Sequence, residues 1–245
     1  MPAPGARALS TPVEDYLKAI YSAIQADTDT ASTSELARRL ALTTGSVSTM
    51  VRRLDDAGLV EHVPYHGVRL TSEGTRAALS VIRRHRLLEL FLATTLDIPW
   101  EDLHGYAEAL EHAASDELIE IIASKLGDPP TDPHGDPIPS RELNIDARAT
   151  QSLATLEPGQ HATLARVSDS DPAMLLYLTD HDIAIGARLQ MIDRQPFEGP
   201  CEIRIGPRTH ALGLKLARAM RVHPCDTDGP EPLMKPPPAR LTVKA

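Results

Sequence analysis

Sulfur is scarce in this chain. Of 245 residues only Cys201 and Cys225 are cysteines, both late in the sequence and much further apart than the spacing of a metal clip. That excludes a disulfide framework and a thiolate cluster, and it fits a reducing compartment. Positive charge is short as well: 25 Lys and Arg face 34 Asp and Glu, a net charge of −9. Because phosphate affinity comes largely from Lys and Arg, a general nucleic-acid glue is excluded, and any DNA contact must be local or conditional. No run of about 18 apolar residues occurs and no charged-then-apolar leader opens the chain, so the expectation is a protein with no membrane partner, located in the cytoplasm. What is present is 42% hydrophobic residues over 245 positions, enough for a soluble globular protein of one large domain or two to three small ones.

Residues 1–11 are small and proline-containing and are expected to be disordered. Thr11-Pro12 with Glu14 and Asp15 then reads as a cap, a first-turn proline and helix-favouring acids, and Leu17, Ile20, Tyr21 and Ile24 give that helix an apolar face. "TSELARRLAL" offers Thr33 or Ser34 as cap, with Leu36, Ala37 and Leu40 inward; "TTGSVSTMVRRLDDAGLV" offers a second short helix with Val47, Met50, Val51 and Leu54 inward, ended by Gly58. "LVEHVPYHGVRLT" is a pair of β-rich runs around the turn Tyr65-His66-Gly67. Three helices and a hairpin make a winged helix-turn-helix.

In such a module the second helix of the pair enters the major groove, and its exposed side chains must be short hydrogen-bonders. Thr43, Thr44, Ser46, Ser48 and Thr49 fit, with Arg52 and Arg53 further along for backbone phosphates and His62, His66 and Arg69 in the hairpin for the adjacent strand. Capping accounts for one threonine, not for five hydroxyls in seven positions. Over residues 1–78, however, eight basic residues face nine acidic ones, so the module is close to neutral and a device that adds charge or fixes geometry would help it bind.

"TSEGTRAALSVIRRHRLLELFLATTL" predicts a long helix with His85 and Glu89 one turn apart, and "PWEDLHGYAEALEHAASDELIEIIASKLG" predicts another, from Pro99 to Gly127. On the latter, His104, Glu108, Glu111 and His112 stand at offsets of 0, 4, 7 and 8, one stripe of a single helix. Such spacing also occurs on solvated helix faces. Here Tyr106, Ala107, Ala109, Leu110 and Ala113 make the rest of the helix apolar, so the stripe is expected to be enclosed and to chelate, with Asp15, His85 and Glu89 as further donors. Carboxylates and imidazoles without sulfur suit Mn²⁺, Fe²⁺, Co²⁺ or Zn²⁺, and the oxygen majority leans toward Mn²⁺.

"TPVEDYLKAIY", "SELARRLALTTGSVSTMVRRLDDAGLV", "RRHRLLELFL", "EALEHAASDEL" and "DPHGDPIPS", in order over about residues 11–140, resemble the diphtheria-toxin-repressor family of metal-dependent transcription regulators. The resemblance implies a homodimer whose metal sets the separation of two winged helices on a palindromic operator. It also implies a primary metal site of Asp15, Glu108, Glu111 and His112, joined by His85 in manganese-responsive members. Iron-responsive members carry Met and Cys where this chain has Asp15 and Glu108, which again points to manganese. Lys18 stands where small manganese regulators have a glutamate, so their paired-ion arrangement does not carry over. For a second site, three-domain relatives use a residue matching Glu89, a Cys-Pro-His-Gly stretch that here reads Asp132-Pro133-His134-Gly135, and an acid of the last domain, Asp169 or Asp171; His104 matches a second-site ligand of iron-type members.

"GDPPTDPHGDPIPS" is a proline-dense boundary. Beyond it "HATLARV", "ARLQMIDR" and "CEIRIG" read as strands, "DPAMLLYLTDHD" as a capped helix, and "GLKLARAMRV" resembles the closing helix and strand of the family's SH3-like barrel. The expected fold is mainly α with a β-rich third domain: a disordered start (1–11), a winged helix-turn-helix (12–74), a helical metal-binding and dimerisation domain (75–140), a linker with an SH3-like barrel (141–223) and a disordered tail (224–245). The expected function is a manganese-dependent, DNA-binding, homodimeric repressor of metal uptake genes with no small-molecule substrate. An iron-dependent regulator and a metal hydrolase using the same His/Glu cluster are the alternatives. Against the hydrolase, four or five protein donors on one ion leave little open coordination.

Overall fold

The computed structural model describes residues 9–24, 29–63, 66–146 and 148–225. The expected disorder of residues 1–8, the turn residue Tyr65 and positions 226–245 of the expected tail lie outside those residues. The described residues divide into two compact units, one running to Arg84 and taking in Pro139–Asn144, the other comprising His85–Ile138 and the chain from Ile145 onward.

The first unit holds α1 (Thr11–Ile24), α2 (Thr33–Arg39), α3 (Thr44–Asp56), the hairpin β1 (Val60–Val63) and β2 (Gly67–Leu70), and the first half of α4 (Ser72–Thr95). The cap of α2 is Ser32, one residue earlier than expected, because its hydroxyl accepts from Glu35 N–H; Thr43 caps α3 through Ser46 N–H. Leu17, Ile20, Leu36, Val47, Leu54, Val60 and Val68 close into one core, and each fully buried leucine or isoleucine contributes on the order of 2 kcal/mol. Ala31 bridges to Val68 and adds a third edge to the wing. Gly67 makes that possible: its φ is +116°, and a Cβ there would lie 2.2 Å from the Ala31 carbonyl oxygen.

In the second unit the long helix expected over 99–127 is two. A 3-10 turn (Trp100–Asp102) leads into α5 (Leu103–Glu111), His112 closes it, and Ser115 caps a new helix, α6 (Asp116–Lys125), by accepting from Leu118 N–H with Asp116 and Glu117 in its first turn. The capping signal overrode an uninterrupted apolar pattern. β3 (Gln151–Ser152), β4 (His161–Val167), β5 (Arg188–Arg194), β6 (Cys201–Ile205), β7 (Arg208–Leu212) and β8 (Met220–Cys225) form one antiparallel sheet ordered β3-β8-β4-β5-β6-β7, with α7 (Pro172–Asp180) and α8 (Leu214–Ala219) between strands. Pro224 and Cys225 therefore belong to the sheet and not to the tail. β7 had no sequence expectation. A bulge between Leu164 and Arg166 breaks the alternation of β4, so Ala162, Leu164 and then Val167 point inward while Arg166 turns out.

Gly67→Ala is expected to lower the stability of the first unit by about 2 kcal/mol or more, since neither the backbone angle nor the Ala31 contact tolerates a methyl group. Chemical denaturation against the wild type measures it, and an unchanged midpoint contradicts the wing's attachment.

Candidate metal centre

The second half of α4 carries His85 and Glu89 one turn apart on its buried side; Glu89 is 1% exposed. A buried carboxylate demands compensation, and its two oxygens meet different partners. Oε1 lies 3.1 Å from His85 Nε2 and 4.0 Å from His104 Nδ1; Oε2 lies 3.7 Å from His134 Nδ1. His104, from the first turn of α5, is also 3.2 Å from Asp169 Oδ2 in the loop after β4. Two groups result, sharing Glu89: His85, Glu89, His104 and Asp169, and Glu89, Asp132 and His134.

Hydrogen bonds at the far side of each ring fix which nitrogen faces inward. His85 Nδ1 donates to Glu111 Oε2 at 2.6 Å, leaving Nε2 toward Glu89. His134 Nε2 donates to the Trp100 carbonyl at 2.9 Å, leaving Nδ1 toward Glu89. A carboxylate or carbonyl behind an imidazole is the usual support of a metal-ligating histidine. Glu89 Oε1, His104 Nδ1 and His134 Nδ1 are buried with no hydrogen-bond partner among the described residues. Donors on adjacent positions of an octahedral ion with bonds of roughly 2.0–2.2 Å stand about 3 Å apart, close to the 3.1 and 3.2 Å separations here. Oxygen and nitrogen donors without sulfur fit a hard divalent cation.

The charges support one another. Burial opposes ionisation of Glu89, yet the His134 and His85 imidazoles bring its carboxyl down to about 2. Burial likewise opposes charge on His134, but Glu89, Asp132 and the Trp100 carbonyl push it up to about 9. Asp132 is pushed up to about 8, first by burial and then by the charges of Asp136 and Glu89. Asp169 is held well below the usual carboxylate range: burial opposes this, and the close approach and charge of the His104 imidazole outweigh it.

The remaining expected ligands distribute unevenly. Glu111 is 1% exposed, its Oε1 3.3 Å from His112 Nε2. Glu108 is largely exposed, 3.6 Å from His104. The stripe is thus not enclosed on all sides: Ala107 and Glu111 face inward, whereas Tyr106, Ala109, Leu110 and Ala113 are exposed. Asp15 stands half-buried on α1, in the first unit. Of the two acids expected from the barrel, Asp169 joins a group, while Asp171 caps α7 through Ala173 N–H and pairs with Lys215 at 3.0 Å. Sequence reasoning passed over Trp100, whose ring stacks on His134 with centroids 5.9 Å apart, and Asp136, although "DPHGDP" contains it.

On α3, Thr43, Thr44, Ser46 and Thr49 are exposed and Ser48 half-buried, with Arg52 and Arg53 exposed further along. Ser48 and Thr49 donate to the Thr44 and Gly45 carbonyls, and the Thr43 and Ser46 hydroxyls bond at 2.9 Å. Arg69 is held by Glu61 at 2.8 Å, and Arg38 and Arg39 by Glu35 at 2.8 and 2.6 Å.

A pH dependence follows for the metal-free protein. His134 rises from an ordinary 6.5 to about 9 on folding, so its stabilisation is complete below about pH 6.5 and is lost as pH climbs through 9. The raised Asp132 acts in the same direction. The melting temperature of EDTA-treated protein is expected to fall by roughly 5 °C between pH 6.5 and 9, and Glu89→Gln to flatten the profile. A wild-type profile that stays level over that window contradicts the assignment.

Three family models match in chain order: "Iron dependent repressor, N-terminal DNA binding domain" over residues 8–68, "Iron dependent repressor, metal binding and dimerisation domain" over 71–140, and "FeoA domain" over 151–224. The iron-dependent repressor IdeR of Mycobacterium leprae is 33% identical over 182 residues, 72% of this chain and 77% of its own. The diphtheria toxin repressor of Corynebacterium diphtheriae is 28% identical over 191 residues, 74% and 84% of the two chains. A solved structure described as a manganese-dependent transcriptional repressor complex with manganese is 40% identical with a TM-score of 0.83, covering 87% of this chain and 100% of its own. The manganese regulator SloR is 30% identical with a TM-score of 0.73, covering 87% and 98%. These relatives are repressors or regulators, which removes the hydrolase alternative. The barrel, the helical domain and the winged helix together make this chain a member of the iron-dependent repressor family, the metal-dependent transcriptional repressors to which the diphtheria toxin repressor belongs.

Proposed function

We propose that this repressor is activated by Mn²⁺, with iron as the second reading, and that it acts in the cytoplasm as a homodimer on a palindromic operator of metal uptake genes. The observation that carries the metal preference is the donor set, imidazoles and carboxylates converging on Glu89 with no sulfur among them. Asp15 and Glu108 support it, standing where iron-responsive members have softer ligands. By the family resemblance Asp15, Glu108, Glu111 and His112 form the first ligand set; His85, Glu89, His104 and Asp169, with Asp132 and His134 across Glu89, form the second. The cation adds positive charge among these carboxylates. The chain's own residues keep the lone pairs aimed, His85 through Glu111 and His134 through the Trp100 carbonyl. DNA binding then needs only that metal favours the competent state by about 1 to 3 kcal/mol.

Thr43, Thr44, Ser46, Ser48 and Thr49 read the major groove and Arg52 and Arg53 meet phosphates, within a DNA-binding domain at 12–74 followed by the helical domain at 75–140 and the barrel at 141–223. The second copy covers an apolar groove of about 500 Å³ between α4, α5 and α6, where Leu110, Leu118 and Ile121 are exposed. Its place in a domain of the metal-binding and dimerisation type argues for that occupant.

Two outcomes test this. A labelled promoter fragment from the protein's own uptake genes is expected to bind 5- to 150-fold more tightly in Mn²⁺ than in EDTA, and Asp15→Met with Glu108→Cys to move activation toward Fe²⁺; equal affinity with and without metal defeats the proposal. Ile121→Asp, placed in the groove, is expected to shift sedimentation from dimer to monomer, and an unchanged dimer moves the interface elsewhere.

A further inference from the structure

The loop Asp132–Pro137 is fastened at three points within the second unit, and only one of them is a metal-type donor. Asp132 Oδ1 accepts from both His134 N–H and Asp136 N–H at 2.9 Å, which winds the loop on itself. The His134 carbonyl accepts from Val167 N–H at 3.0 Å, and Gly135 (φ +84°) packs so closely on the end of β4 that a Cβ would lie 2.0 Å from the Ala165 oxygen. Asp136 makes the third fastening. Its Oδ1 lies 3.2 Å from Arg86 Nη2, on α4 between His85 and Glu89, and 3.1 Å from Arg166 Nη1, on β4 three residues before Asp169. Arg86 also donates through Nη1 to the Pro137 carbonyl at 2.5 Å. One carboxylate thus ties together the helix that carries Glu89, the loop that carries His134 and the strand that leads to Asp169.

We infer that Asp136, bridging Arg86 and Arg166, is a positioning residue that joins the barrel to the Glu89 centre and sets that centre's metal affinity. It touches no ion itself. Two guanidiniums from different elements share one oxygen, so the pairing holds only while α4 and β4 keep their separation, and this partly buried network is screened less than a surface pair. Outer partners that orient ligands change metal affinity by roughly 10- to 100-fold when removed. The inference rests on the Glu89 centre being a metal site, as proposed above.

The test uses the full-length protein and its single tryptophan, Trp100, whose stacking on His134 makes Mn²⁺ binding at that histidine visible as fluorescence quenching. Titrations of wild type, Asp136→Asn, Arg166→Gln and the double variant are compared. Each single change is expected to raise the quenching midpoint roughly 10- to 100-fold. The double is expected to be no worse than the stronger single, because both act through one contact. Operator affinity at saturating Mn²⁺ should return to the wild-type value, which a merely destabilised fold would not do. Arg166 is partly exposed, so its variant keeps the test alive if Asp136→Asn folds poorly. Midpoints that match a metal-responsive wild type, or single effects that multiply, overturn the clamp alone; a wild type whose Trp100 ignores Mn²⁺ overturns the centre and the clamp's role with it.

Discussion

A single carboxylate, that of Glu89, is the constraint from which the second unit follows. Sealed from water at 1% exposure, it has to be met by positive charge, and the chain surrounds it with imidazoles that are neutral at ordinary pH unless held otherwise. Without metal the protein solves this with protons, charging His134 at the expense of burial. In the proposed metal-bound state one divalent cation satisfies several of these lone pairs at once, and protons and metal then compete for the same inward-facing atoms.

The DNA-binding unit shows the complementary restraint. Glu35 occupies Arg38 and Arg39 and Glu61 occupies Arg69, so on α3 it is chiefly Arg52 and Arg53, beyond the exposed hydroxyls, that offer positive charge to phosphates. A repressor so built gains little from nonspecific attraction. Its binding has to come from geometry, from two readers presented at the right spacing, which is the role proposed above for the metal-bound dimer.

Much of this was legible before any coordinates. The hairpin, α3 and the capped α7 fall where alternation, capping residues and glycine placed them, because those signals are local. The donor side chains at 85, 89, 104, 111 and 112 were visible on predicted helices and that at 134 in a proline-rich stretch, and residue chemistry alone argued for a hard ion. Other features were hidden for physical reasons. The break between α5 and α6 is a contest between an apolar pattern and one serine cap, and pattern counting favours the longer helix. Leu110 and Ala113 look like core in sequence although they are exposed, because side-chain type alone does not separate an apolar surface groove from a core. Which nitrogen of His85 faces Glu89 depends on Glu111, 26 residues away, and no periodicity carries that. Asp136 was hidden by its neighbours, since a proline-rich segment reads as punctuation even when one of its acids holds two arginines.

The bulge in β4 turns a counting detail into architecture. Strand side chains alternate strictly, so one additional residue after Leu164 reverses the assignment of everything beyond it: Val167 enters the barrel's interior and Arg166 leaves it. Had the same residues run as a regular strand with no bulge, the guanidinium would have been aimed into hydrocarbon and the loop left with no hand to hold. The attachment of the barrel to the Asp132–Pro137 loop is therefore written in parity as much as in chemistry, and a relative could keep every one of these side chains yet lose the connection by pairing this strand without its bulge.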